Sequence, residues 1–225
     1  MTMKNIFLLI LTISTLKVAG QNHLIGVKGG VNSTNITSSN FISQTDYRTG
    51  LTAGLTYEFL FKKHFSIGTE LIYNQRGFTN GILLTDNFGN PTGEKHITKF
   101  NYDYVSLPIK AGLNFGTKLY GFTNIAVIPS LLIDAKTIKP IFYPDGYVFG
   151  NKTIDVTNRV SKFDFAGLIE IGGGYKFKGR YWLFTSFSYQ HSFTTITNSD
   201  YFADSKIRHN GMTLMLGMKS ALTKE

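Results

Sequence analysis

Apolar and polar side chains alternate with a period of two along several long stretches of the chain. Leu51, Leu55 and Phe59 fall on one face of such a stretch, and Thr52 and Glu58 fall on the other. This period places successive side chains on opposite faces of an extended strand, so the pattern predicts β-strands. The predicted strands cover residues 24–33, 48–60, 65–76, 100–115, 119–135, 160–177, 181–194 and 208–220. The fifth of them is ambiguous, and we assign no faces to it.

The connections between these strands alternate between short and long. The short ones lie at 61–64, 116–118 and 178–180. The long ones, rich in Asn, Thr, Ser, Gly and Asp, lie at 34–47, 77–99, 136–159 and 195–207. Asn80-Gly81 and Asp145-Gly146 are turn signals within the long connections. Most predicted strands are also long enough to cross a bilayer, which takes about 9–11 tilted residues.

Barrels of the bacterial outer membrane combine short periplasmic turns with longer external loops. The sequence therefore predicts an all-β chain that forms an eight-stranded antiparallel up-and-down transmembrane β-barrel with short periplasmic turns and long extracellular loops. Residues 1–20 are predicted to be a signal peptide, with Lys4 before an apolar segment at 6–16 and with Val18 and Gly20 before the cut. Residues 21–225 are predicted to be the barrel domain.

Composition narrows the classes of function. Charged residues make up 16% of the chain and aromatic residues 14%, and the chain has no Cys. Disulfides and thiolate metal sites are therefore excluded. The net charge of +9 is scattered, without a dense basic run, which disfavours nucleic-acid binding and suits a surface of anionic lipid. His23, His64 and His96 are isolated, so we expect no metal site and no cofactor.

The alternation alone does not tell which face is outside, because a soluble ligand-binding barrel shows the same pattern inverted. Sparse charges of both signs and frequent Gly and Ser on the polar faces favour a narrow, enclosed lumen. Aromatic residues collect at strand ends, which predicts two girdles at the membrane interfaces. The predicted girdles contain Tyr57, Phe59, Phe61, Phe65, Phe115, Tyr120, Phe122, Tyr175, Phe177, Tyr181, Trp182 and Phe184 at one end, and Tyr73, Phe78, Phe100, Tyr102, Tyr104, Tyr189 and Phe193 at the other.

Charged residues on the polar faces are predicted to form a network inside the lumen. An eight-stranded barrel is just wide enough for side chains, and buried charges require partners. We interpret the network as a salt-bridged plug rather than as a proton or ion path. Its predicted members are Lys28, Glu58, Glu70, Arg76, Lys110, Asp164, Glu170, Lys176 and Lys219.

Three functional hypotheses follow. The first is a non-enzymatic outer-membrane barrel that contacts lipid and, through loops or periplasmic turns, a protein partner; its candidate loop residues are Tyr143, Tyr147, Phe149, Tyr201 and Phe202. The second is a lipid-modifying enzyme that uses residues among His191, Ser192, His209, Asp200 and Asp204. His191 and Ser192 point to opposite faces, so they cannot pair directly. The third is a secreted soluble barrel that binds an apolar ligand.

Three segments carry a resemblance to a known family. They are Tyr104-Val105-Ser106-Leu107-Pro108-Ile109-Lys110, Phe163-Asp164-Phe165 leading into 172–177, and 181–193. Over residues 24–220 the chain resembles the PorT-type outer-membrane β-barrel family of Bacteroidota. The resemblance implies an eight-stranded barrel in the outer membrane and, through the member that gives the family its name, a link to protein secretion. It implies no catalytic or ligand-binding residues.

Overall fold

The computed structural model describes residues 22–38, 45–61, 64–85, 88, 90–143, 148–178, 180–198 and 206–222. The predicted signal peptide lies outside the described residues. Within these ranges, no helix is long and apolar enough to cross a membrane. The strands are β1 (Asn22–Ser38), β2 (Thr45–Phe61), β3 (Phe65–Thr85), β4 (Pro91–Ser106), β5 (Ile109–Gly116), β6 (Leu119–Phe142), β7 (Val148–Asp155), β8 (Phe163–Phe177), β9 (Tyr181–Ser192) and β10 (Ile207–Ala221).

The strands pair into a closed antiparallel ring with eight positions. β1 pairs with β2 on one side and with β10 on the other, so the first and last strands close the sheet. β4 and β5 share one position, because both pair with β3 and both pair with β6. β8, β9 and β10 complete the ring. The expected count of eight is confirmed for the ring.

The predicted strand 100–115 is interrupted at Leu107 and Pro108. Pro108 has no N–H to donate to a neighbouring strand. Other backbone groups bridge the interruption: the Leu107 N–H donates to the Pro129 carbonyl at 2.9 Å, and the Glu70 N–H donates to the Pro108 carbonyl at 3.1 Å. The wall of the ring therefore stays hydrogen-bonded where the strand is broken.

Two of the predicted long connections contain much more strand than expected. β3 runs to Thr85, and Asn80 pairs with Thr98 of β4, so the turn expected at Asn80-Gly81 is wrong. β6 continues past the ring and pairs with β7, which forms a hairpin outside it. A local Asn-Gly signal is weak when both neighbouring segments can continue a cross-strand ladder, and here the ladder prevails.

Apolar side chains cover the outside of the ring. Leu216 is 69% exposed and Ile125 is 64% exposed, whereas Arg76 and Asp164 on the inner face are each 1% exposed. The structure also assigns the faces of β6, on which Tyr120 and Phe122 point inward. A soluble ligand-binding barrel would need the opposite arrangement, so the third hypothesis conflicts with the structure.

Most of the aromatic residues assigned to the two girdles are either exposed on the outside of the ring or buried within it. Tyr57, Phe61, Phe65, Phe115, Tyr175, Phe177 and Tyr181 are exposed at the end with the short turns, and Tyr73, Tyr189 and Phe193 are exposed toward the other end. Seven residues assigned to the girdles are buried instead: Phe78, Tyr102, Tyr104, Tyr120, Phe122, Trp182 and Phe184. Position along a strand sets only the depth of a side chain, and the period of two decides its face. The girdle assignment of these seven was therefore wrong.

Candidate functional site

Four charged residues meet at the middle of the lumen and form what we call the central quartet: Lys28 of β1, Glu70 of β3, Lys110 of β5 and Glu170 of β8. The Lys28 Nζ lies 2.7 Å from Glu70 and 3.7 Å from Glu170. The Lys110 Nζ lies 2.9 Å from Glu70 and also binds Glu170. Each carboxylate thus contacts both ammonium groups, and the four formal charges cancel.

The quartet is enclosed within the lumen, so the cost of removing its charges from water determines how much each ion pair matters. Lys28, Glu70 and Glu170 are buried, and the Asn124 amide donates to Glu170 at 2.7 Å. A charge removed from water is costly unless it is paired and its remaining hydrogen-bonding positions are satisfied. The reciprocal contacts meet that requirement only while all four members are present, so the quartet depends on four different strands keeping their register.

A second charged layer lies toward the long connections. The Arg76 guanidinium donates to Asp164 at 2.7 Å and to the hydroxyls of Ser106 and Ser130, each at 3.2 Å. Asp164 also accepts from Ser192 at 2.9 Å, as well as from the Thr194 hydroxyl at 2.8 Å. This layer therefore joins β3, β4, β6, β8 and β9.

The third layer lies toward the short turns and combines charges with aromatic rings. The Lys219 ammonium binds Glu58 and lies 4.8 Å from the centre of the Phe184 ring. The Lys176 Nζ lies 3.9 Å from the centre of the Trp182 ring. Such cation–π contacts stabilise an ammonium group that has left bulk water. With this layer, the structure places all nine predicted lumen residues on the inner side of the ring.

Two apolar clusters lie toward the two ends of the lumen, and neither was predicted from the sequence. The cluster at the short-turn end includes the Trp182 and Phe184 rings of the third layer. The cluster at the short-turn end contains Leu24, Leu60, Tyr120, Phe122, Trp182 and Phe184. The cluster toward the long connections contains Ile36, Phe78, Tyr102, Tyr104, Leu132, Ala135, Val156, Val160, Ile196 and Ile207. For Tyr102, Tyr104, Trp182 and Phe184, alternation within the predicted strands was the available signal. The other members include residues of β6, to which no faces were assigned, and residues that fall in the predicted connections: Ile36, Phe78, Val156, Ile196 and Ile207.

Two small cavities lie between the inner side chains of the described residues. A cavity of about 30 Å³ lies beside the central quartet and Arg76. A second cavity of about 10 Å³ lies between Arg76 and His209. A buried water needs roughly 10–15 Å³ of such space, so the cavities have room for a few waters at most. Around these two cavities, the described inner side chains are closely packed.

Among the described candidates for catalysis, His191, Ser192 and His209, no nucleophile–base pair is found. The Ser192 hydroxyl is fully buried and donates to Asp164. His209 is also buried, and its ring packs against the rings of Tyr102 and Tyr104. Asp200 and Asp204 lie outside the described residues. Within the described part of the chain, no group of three metal-ligating side chains is found.

Two of the five candidate loop residues are described. Tyr143 follows the end of β6, Phe149 lies in β7, and their ring centres are 4.4 Å apart. Both side chains are about half exposed. They therefore form an aromatic pair near the tip of the hairpin outside the ring. Tyr147, Tyr201 and Phe202 lie outside the described residues.

A closed antiparallel ring with an apolar exterior and a charged, filled interior has the architecture of a membrane β-barrel. Comparison with protein families makes the assignment specific. Residues 19–198 match the family described as an outer membrane protein beta-barrel domain, and the chain belongs to that family. The protein is thus a protein of the bacterial outer membrane.

The solved structures to which this chain is similar include Neisserial surface protein A, at 10% identity and a TM-score of 0.47; the match covers 87% of this chain and 96% of that one. OprG from Pseudomonas aeruginosa has 10% identity and a TM-score of 0.48, with 90% of this chain and 97% of that one covered. Ail of Yersinia pestis, in complex with the heparin analogue sucrose octasulfate, has 8% identity and a TM-score of 0.40, with 88% and 98% covered. A search of curated proteins finds no match.

Proposed function

We propose that this protein is a non-enzymatic outer-membrane barrel whose lumen is closed and whose role is carried by its outer surfaces. The filled lumen is the observation that supports this proposal. Three charged layers span the interior, an apolar cluster lies at each end, and the cavities have room for a few waters at most. Transport through such an interior would require several paired charges to separate in a medium of low dielectric constant.

Conductance measurements test the closed lumen. Purified protein inserted into a planar lipid bilayer is expected to give no steady single-channel current at moderate voltage. A double variant, Phe122→Ala with Phe184→Ala, removes two rings from the cluster at the short-turn end and serves as a comparison for increased leak. A reproducible unit conductance from the unaltered protein, prepared free of porins, would contradict the proposal.

The orientation that we propose places the short turns in the periplasm and the long connections outside the cell. The support is the general layout of outer-membrane barrels, together with the hairpin of β6 and β7, which extends beyond the ring on the long-connection side. A cysteine introduced at Phe149 should react with a membrane-impermeant reagent on intact cells, and one introduced at Thr117 should not. The reverse pattern would overturn the orientation.

The aromatic pair of Tyr143 and Phe149 is the recognition surface that we favour on the outside. Aromatic residues, Phe included, are enriched at protein interfaces, and Tyr is enriched among the residues that dominate binding energy there. Cross-linking on cells should capture a partner that is lost with Tyr143→Ser combined with Phe149→Ser. Phe88→Ser, at an exposed residue of the neighbouring hairpin between β3 and β4, is the matched control. Equal capture by the unaltered protein, the double variant and the control would contradict recognition through this aromatic pair.

The PorT-type resemblance supports a finer proposal, that the protein takes part in protein secretion through its loops or its periplasmic turns. The sequence segments that carry the resemblance are its only support. Deleting the gene should change the set of secreted proteins in the culture medium, and expression of the unaltered chain should restore it. An unchanged set of secreted proteins would contradict a role in secretion. It would not affect the proposal that the lumen is closed.

A further inference from the structure

The two ends of the ring differ sharply in their acidic residues. Of the 14 Asp and Glu residues in the chain, only Glu58 and Glu225 fall near the short turns in sequence. Glu58 is bound to Lys219 on the inner side of the ring, and Glu225 lies outside the described residues. The outer surface of the described short-turn end therefore presents cations without carboxylates. At the opposite end, cations are partly neutralised, as in the ion pairs Lys95–Asp46 and Lys136–Asp134.

Three of these cations lie on two neighbouring turns, and we call them the basic arc: Lys118, Lys178 and Arg180. Backbone hydrogen bonds tie the turns together. The Lys118 carbonyl accepts from the Lys176 N–H at 2.9 Å, and the Arg180 carbonyl accepts from the Ala221 N–H at 2.9 Å. The arc thus extends across the β5–β6 and β8–β9 turns to the end of β10, on backbone that the barrel wall holds in place.

Each cation of the basic arc lies beside an exposed aromatic ring. The distances to the ring centres are 5.5 Å from Lys118 to Tyr175, 5.3 Å from Lys178 to Phe177 and 5.8 Å from Arg180 to Tyr181. Exposed Tyr and Phe rings at the rim of a membrane protein lie at the level of the lipid headgroups. The three charges are therefore positioned at the depth where lipid phosphates lie. None of the three is ion-paired with a carboxylate among the described residues.

We propose that the basic arc binds the phosphate of anionic phospholipids in the leaflet on the short-turn side. A headgroup with a net negative charge would complement a cationic surface that holds no carboxylate, and its acyl chains would pack on the apolar wall between the exposed rings. The leaflet is the periplasmic one under the orientation proposed above, and only that part of the inference rests on the proposed function.

Native mass spectrometry of the purified full chain tests this binding, with phosphatidylglycerol and phosphatidylcholine added as separate probes. The test variant is Lys118→Gln, Lys178→Gln and Arg180→Gln together. A basic residue near an anionic lipid surface contributes about five-fold in binding, so the triple variant should bind phosphatidylglycerol on the order of 100-fold more weakly at low salt. Binding of phosphatidylcholine should not change. The unaltered protein should also lose phosphatidylglycerol preferentially as salt is raised.

The matched control removes the same charge at the opposite end: Lys99→Gln, Lys152→Gln and Arg208→Gln. Its affinity for phosphatidylglycerol should stay within about two-fold of the unaltered protein at moderate salt, since those charges lie beyond a Debye length from the arc. Heat-dependent gel mobility checks that both variants are folded. If a variant does not fold, the salt dependence of the unaltered protein still decides between preferential and indiscriminate lipid binding.

Four results would overturn the proposal. One is equal loss in both triple variants, which would indicate a response to net charge alone. Another is full competition by inorganic phosphate, which would indicate an ion site rather than a lipid site. A third is unchanged lipid binding accompanied by loss of a co-purifying acidic protein, and the fourth is equal affinity for the two lipids. Reversed cysteine labelling on cells would change only the leaflet and leave the lipid binding itself standing.

Discussion

The inner and outer faces of the ring are built from alternate residues of the same strands, and they solve different physical problems. Glu70 and Leu71 are adjacent on β3. Glu70 is enclosed with Lys28 and Lys110, whereas Leu71 points outward and is half exposed in the isolated chain. Inside, each charged side chain depends on particular partners from other strands. Outside, a side chain needs only to be apolar at its depth in the bilayer.

This difference predicts how the two faces respond to mutation. A change inside should act through the partners that it leaves behind, so its effect should depend on the exact group removed. A change outside should act through the transfer of one side chain into lipid, so its effect should depend on polarity and depth. The expected loss in the free energy of unfolding decreases from the buried quartet, through the outer apolar face and the packed glycines, to an exposed ion pair.

The largest effect is expected for Glu70→Gln. Removing this charge leaves two buried ammonium groups, of Lys28 and Lys110, to share the single carboxylate of Glu170. Breaking a buried ion pair from one side costs about 3–5 kcal/mol. Urea unfolding in lipid vesicles, followed by Trp182 fluorescence, measures the loss. Adding Lys28→Met, which restores charge balance, should recover part of it, and no recovery would show that pairing within the quartet is not the cause.

Leu55→Arg tests the outer face. The side chain of Leu55 is exposed between the two rims, and an arginine near the bilayer midplane costs about 2–4 kcal/mol. The same unfolding assay applies, with Leu55→Met as the apolar control of similar volume. A stability unchanged by the arginine would mean that this face does not meet hydrocarbon.

Alanine substitutions at two glycines test how much space is available on the inner and outer faces of the sheet. A Cβ on Gly172, on the inner face of the sheet, would lie 2.3 Å from the Phe122 side chain. A Cβ on Gly121, on the outer face, would have its nearest neighbour at 3.7 Å. Overpacking a filled interior costs typically about 1–3 kcal/mol, so Gly172→Ala should destabilise by that amount. Gly121→Ala should have little effect on the unfolding midpoint. Equal effects would indicate that the interior is looser than the structure shows.

The smallest effect is expected at the exposed ion pair of Lys95 and Asp46, whose side chains are 50% and 66% exposed. Such pairs contribute about 0.2–1 kcal/mol, and salt screens them. The loss in the free energy of unfolding should therefore be several-fold smaller for Lys95→Ala than for Glu70→Gln. The loss for Lys95→Ala should also shrink in high salt. A cost comparable with that of the buried quartet would break the distinction between the two environments.

Much of this architecture was accessible from the chain itself. The period of two correctly assigned Leu55 and Leu216 to one face and Glu70 and Lys110 to the other, and the three short connections marked one end of the ring. The assignment was less successful for Tyr102, which was assigned to a girdle although its alternation position is inward, and for Phe122, whose strand had no assigned faces. Depth along a strand had been taken as evidence for a face, and these are independent coordinates of a side chain.

By itself, the sequence determined that long strands would alternate apolar and polar faces, because the pleat of a strand assigns successive side chains to opposite sides. Only the tertiary structure decided that Lys28 contacts both Glu70 and Glu170, that Arg76 contacts Asp164, and that apolar clusters with buried aromatic rings lie toward both ends of the lumen. Alternation specifies a side but gives no height or angle around the ring. Those two coordinates are set by the registers between neighbouring strands, and each register depends on every other once the sheet closes.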